Sequence, residues 1–172
     1  MVFSDFNLTF AGFFVCGILV RFVNIFVKNK EFEMRGQYDW VDKTLFILFS
    51  YAHITDWELA DSERSLIQSK TRYIFKIIRG DLSNYPSDVI EKKMVKAYQY
   101  WNEVKEESID EILSELQEIS TEIISQNWFD SDFAEKLIDF LGEIARADGV
   151  VLDSEKFTLV DLANLWKVKA HL

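Results

Sequence analysis

Cysteine is nearly absent from this chain, and Cys16 stands alone. One thiol closes no intramolecular disulfide and builds no cysteine-rich zinc site, a usage that fits a reducing compartment. Histidine is scarce as well. His53 and His171 lie far apart, and no Ser/His/Asp, Cys/His or phosphate-loop pattern is present. With none of these constellations, the chain is not expected to be an enzyme. Proline occurs once, at Pro86, which leaves room for long helices. Basic residues are outnumbered, 19 Lys and Arg against 29 Asp and Glu, for a net charge of −10. That balance argues against a nucleic-acid partner, because phosphate binding needs a basic surface. No convincing run with period two occurs, so no strand is expected.

What is present is apolar and helical in pattern. Of 172 residues, 49% are hydrophobic, enough for one domain with a sizeable core. The run Leu8 to Val27 is almost wholly apolar, and its 20 residues suffice to span a bilayer. Arg21 and Asn24 lie toward its C-terminal end, where Arg21 can snorkel to the interface with Lys28 and Lys30. The start carries Asp5 and no basic stretch, unlike a signal peptide. Residues 1–30 are therefore expected to be a single-pass anchor. Lys28, Lys30 and Arg35 would then keep the remainder, 37–172, on the cytoplasmic side of the inner membrane. A core helix, or one packed on a partner protein, is the other reading of this run.

After the apolar run the spacing predicts successive helices. One spans Asp39 to Ile54, with an apolar stripe at 41, 45, 48, 49 and 52. Another runs from Asp61, its expected N-cap, to Ile78 and stops at Gly80. Pro86 and Ser87 open a third that runs to about Lys105. Ile109, Ile112, Leu113, Leu116, Ile119 and Ile123 mark a fourth, with Glu107, Glu111, Glu115, Glu118 and Glu122 as an acidic stripe opposite. Phe133, Leu137, Phe140, Leu141 and Ile144 line a fifth. Asp153 is expected to cap a last helix carrying Phe157, Val160, Leu162, Leu165 and Trp166.

One acidic pattern occurs twice. Asp56-Trp57-Glu58-Leu59-Ala60-Asp61-Ser62-Glu63-Arg64 is matched by Asp148-Gly149-Val150-Val151-Leu152-Asp153-Ser154-Glu155-Lys156. Each copy links two helical stretches, which suggests an internal duplication of a helix-loop-helix unit. The segment Ile144 to Glu155, with its Ala-containing helix end, Asp-Gly and a Glu seven residues after the Asp, resembles the signature of the TerB-like superfamily. That superfamily includes the tellurite-resistance protein TerB and the domain that follows the membrane helix of the co-chaperone DjlA. Asn84-Tyr85-Pro86 followed by Glu91-Lys92-Lys93-Met94 is similar to a stretch of the latter. The resemblance covers residues 37–172 and implies an all-α bundle of two related halves with a divalent-cation site. No His-Pro-Asp occurs, so it carries no chaperone-stimulating activity over.

Two readings of the acidic loops stand. Asp148, Asp153 and Glu155, and less readily Asp56, Asp61 and Glu63, can hold Ca²⁺ or another divalent cation through carboxylate and backbone oxygens. The second loop is expected to bind first, since Trp57 replaces the turn glycine in the first. The alternative is helix capping alone, with Gly149 as a C-cap. His53 is either a ligand for a softer metal or a helix residue bonded to a neighbour. The acidic stripe is either a solvated face or a dock for a basic protein. Trp128-Phe129 is either core or an exposed docking point. The function expected is a membrane-anchored, non-catalytic protein-interaction module in a stress-response or membrane-associated assembly, without a small-molecule substrate. Its rival is an accessory structural subunit of a membrane complex, needing no metal.

Overall fold

A computed structural model of the chain describes residues 37–56, 59–147, 149 and 151–170, without the side chains of residues 54–56 and 84. Six α-helices follow one another: α1 Trp40–Asp56, α2 Asp61–Arg79, α3 Ser87–Glu107, α4 Ile109–Glu122, α5 Ser131–Ala145 and α6 Asp153–Trp166. Short 3₁₀ turns lie at Leu82–Asn84 and Ile123–Ser125. Among the described residues there is no strand, so the all-α expectation holds. None of the described helices is long and apolar enough to cross a membrane. The predicted span Leu8 to Val27 lies outside the described residues.

Helix α1 is the axis of the fold and touches each of the other five. The apolar stripe predicted for it is therefore too narrow. Phe46, Ile47 and Tyr51 are buried beside Val41, Leu45, Leu48, Phe49 and Ala52, and so are Asp42, Thr44 and Ser50. A helix wrapped by neighbours buries its whole circumference. Around it, α2 packs on α3 and α5, α3 on α4, and α5 on α6.

Local signals set most helix ends. Gly80, at φ +82°, stops α2, its N–H donating to the Lys76 carbonyl at 2.8 Å. Ser108 Oγ accepts from the Glu111 N–H at 3.2 Å to cap α4, and Asp130 accepts from Phe133 N–H at 2.8 Å to cap α5.

Two predicted faces are corrected. Glu107 ends α3 rather than joining α4, and Glu115 turns inward, 2% exposed, where it accepts a hydrogen bond from the Tyr100 hydroxyl. The acidic stripe is thus interrupted, with Glu118 and Glu122 on the surface. On α6 the buried side chains are Glu155, Leu159, Leu162, Ala163 and Trp166, whereas Phe157, Val160 and Leu165 are exposed. Apolar type alone misassigned these positions; α6 meets α1, α4 and α5 on one face only. Trp128 and Phe129 are half-buried in an aromatic cluster with Trp40, Phe133 and Trp166, so they edge the core.

Candidate functional site

The two acidic loops join α1 to α2 and α5 to α6, and their exits are built alike. Ala60 precedes α2 with φ −65° and ψ 152°; Leu152 precedes α6 with φ −77° and ψ 155°. The carbonyl of each accepts the first helical bond, from Arg64 N–H at 3.0 Å and from Lys156 N–H at 3.2 Å. Asp61 and Asp153 are the first residues of their helices, not the N-caps predicted for them. Both are exposed, and Asp153 accepts from Lys156 Nζ at 3.0 Å.

The capping is done two residues later. Glu63 Oε2 accepts from the Ala60 N–H at 2.8 Å, and Glu155 Oε2 from the Leu152 N–H at 2.6 Å. This is the returning half of a capping box. Neither Ala60 nor Leu152 has a side-chain acceptor, so the forward half does not exist. Both glutamates are 4% exposed. Gly149 is not the helix C-cap, which is Arg146; it sits three residues on at φ +88° and donates to the Arg146 carbonyl at 3.2 Å. That left-handed backbone favours glycine.

Tyr51 of α1 reaches the exit of the second loop. Its hydroxyl donates to the Glu155 carbonyl at 3.2 Å. Burial pushes the phenol's pKa up, the charges of Glu155 and Glu63 push the same way, and Arg146 opposes them. The buried phenol thus lies at the start of α6, within electrostatic reach of both buried glutamates. His53, one turn from the end of α1, is buried with its ring edge-on to Trp101 at 5.2 Å.

Each buried glutamate accepts a backbone N–H through Oε2. Among the described residues no three His, Cys, Asp or Glu side chains converge as a cation site. Asp148 and the Asp56 side chain lie outside the described residues, while Asp61 and Asp153 point to solvent.

A second polar cluster was not singled out in the sequence. Asp39 caps α1, its Oδ1 accepting from Val41 N–H at 3.0 Å and Asp42 N–H at 3.3 Å, while Asp42 Oδ2 accepts from Asp39 N–H at 3.0 Å. This complete capping box is fixed by cations from elsewhere: Lys93 reaches both carboxylates, Arg79 pairs with Asp39, and Lys96 lies 3.5 Å from Asp42. Burial opposes ionisation of Asp39, but the hydrogen bond and charge of Lys93, helped by Asp42 N–H and Arg79, hold its pKa down at about 2. Burial raises that of Asp42, and the charge of Asp39 adds to the rise against the pull of Lys93. Beside this network is a cavity of about 260 Å³ lined by Tyr38, Asp39, Trp40, Lys43, Arg79 and Trp128, among others. The Asp-x-x-Asp spacing was a sequence signal for the box. The Lys93 and Arg79 pairings, 54 and 40 residues from Asp39, had none.

Comparison with known proteins returns no relative: no family model matches the chain, and no curated protein or solved structure matches it.

Proposed function

We infer that the chain is a TerB-like, membrane-anchored interaction module without catalysis. The observation that carries this reading is the matched build of the two loop exits. Glu63 and Glu155 are both third in their helices, both buried, and both bonded back to the residue before the helix. A local geometry kept at the same points of a repeated motif supports a bundle of two related helix-loop-helix halves. The exposed Phe157, Val160 and Leu165 on α6 support a protein partner. Anchorage rests on Leu8 to Val27 and the basic residues after it. A divalent cation is proposed at the second loop, with Asp148 as the principal ligand and Asp153 and Glu155 as helpers; Asp56, Asp61 and Glu63 form the weaker first site.

The test has separate arms. The tagged full chain should remain in membranes through a carbonate wash; recovery as a soluble monomer without detergent removes the anchor. Millimolar Ca²⁺ should raise the melting temperature by linkage, and Asp148→Asn should abolish the rise more than Asp56→Asn. Melting indifferent to Ca²⁺, Mg²⁺ and Mn²⁺ leaves capping as the whole role of the loops. Purification at native abundance should bring a protein partner along, and loss of that partner in Phe157→Asp assigns it to α6.

A further inference from the structure

The chain is strongly acidic, yet α2 carries five basic residues and no acidic one from Arg64 to Arg79. Arg64, Gln68, Arg72 and Lys76 follow at intervals of four and are all exposed, and Arg79 continues the same face. Residues four apart on a helix are neighbours, so this is one continuous stripe. Arg64 lies over the Tyr98 ring at 4.5 Å, and Arg79 is paired with Asp39. The side chains of Arg72 and Lys76 make no hydrogen bond or ion pair among the described residues. Tyr73, 38% exposed, borders the stripe with an amphipathic ring.

The stripe ends at the domain's entrance. Its pairing with Asp39 puts Arg79 at the first capped residue of α1, where Lys93 also binds Asp39 and Lys96 donates to the Gln37 carbonyl. Upstream of this point in sequence lie Arg35, Glu33, Glu31, Lys30 and Lys28, a net charge of +1, and then the apolar run. Among the described residues the α2 stripe is thus an exposed basic strip on an acidic chain, ending beside Asp39 and close to Gln37, the first described residue.

We propose that the α2 stripe is a contact for an anionic lipid surface, laid against the leaflet from which the apolar run emerges. The proposal rests on the anchor reading for its geometry. A planar anionic surface meets one face of the domain and repels the acidic remainder, which fixes the orientation. A duplex nucleic acid would meet this short stripe on a chain of net charge −10, which otherwise repels it. Juxtamembrane basic residues strengthen binding to acidic headgroups, and salt screens the effect.

The experiment uses the full chain with Cys16→Ser and a donor fluorophore at Ser69→Cys, an exposed position of α2. Vesicles of phosphatidylcholine alone, or rich in phosphatidylserine, carry a headgroup acceptor. Energy transfer should be higher with phosphatidylserine at low salt, fall at high salt, and drop to the phosphatidylcholine level in the double variant Arg72→Glu, Lys76→Glu. Arg72→Gln with Lys76→Gln should fall between. Equal transfer in both vesicles overturns the proposal. The anchor is read separately, by flotation with neutral vesicles at high salt. If the chain fails to float there, the anchor fails. Flotation with phosphatidylserine at low salt then decides the contact: wild type should bind on the order of tenfold more tightly than the Glu variant, and no binding overturns the proposal. A duplex oligonucleotide that displaces α2 more effectively per phosphate than phosphatidylserine also overturns it, in favour of a nucleic-acid face.

Discussion

Glu63 and Glu155 occupy the same place in two helices, each accepting a hydrogen bond from the backbone N–H three residues earlier, at 2.8 and 2.6 Å. The repeated Asp-Ser-Glu pattern is therefore a pair of helix starts in which the glutamate, not the aspartate, satisfies the backbone. Tyr51 donates to the carbonyl of Glu155.

Removing either glutamate should destabilise the chain comparably, because each deletion strands a backbone donor. Glu63→Ala and Glu155→Ala are expected to cost about 1–3 kcal/mol apiece in chemical denaturation. Ala60→Ser, which supplies the missing half of the box, should gain about 1 kcal/mol. A large loss at one glutamate with none at the other would contradict their equivalence.

Lys93 and Lys92 are adjacent but should behave oppositely. Lys93 neutralises Asp42, which is 0% exposed, so Lys93→Met leaves a buried charge with less compensation and should cost about 3–5 kcal/mol. Lys92 pairs with Asp88 on the surface, where water and salt screen the pair, and Lys92→Ala should leave the denaturation midpoint nearly unchanged. Equal midpoints for the two variants would remove the structural role given to the network.

Acid unfolding should reflect the same pair. The folded pKa of Asp39 is lowered to about 2 from an ordinary 3.8, so its stabilisation is present above the ordinary value and is lost as pH falls through about 2. Asp42 is raised, so its protonation acts in the opposite sense: stability increases as pH drops through its folded pKa toward the ordinary range. Asp42→Asn should remove that gain and leave the acid loss, whereas Asp39→Asn should flatten the loss. Denaturation midpoints measured from neutral pH to strong acid check both slopes.

On α6, Phe157 is 59% exposed and Leu159 is fully buried. Phe157→Ser should change stability by no more than about 0.5 kcal/mol while weakening partner capture. Leu159→Ala should cost about 2–5 kcal/mol through the cavity it leaves. If Phe157→Ser unfolds the protein, the exposed face of α6 is not a free surface.

The all-helical class, the stop at Gly80, the start after Pro86 and the doubled acidic motif were legible in the chain itself, because helix periodicity and breaking act within a few residues. Which residues face inward was not. Glu115 looked like one more member of an acidic stripe until Tyr100 met it across the α3–α4 junction, and Phe157 looked like core until α6 was seen to be covered on one side. The predicted stripe on α1 understated its burial, since five helices close around it and no local spacing encodes that number. The sites divide in the same way. The sequence determined where the carboxylates cluster, whereas packing decided that Glu63 and Glu155 are buried, that Tyr51 meets Glu155, that Asp61 and Asp153 face water, and that Arg79 and Lys93 meet Asp39. Hydrogen bonds and ion pairs between residues dozens of positions apart exist only once the helices are packed, so only the tertiary structure could assign them.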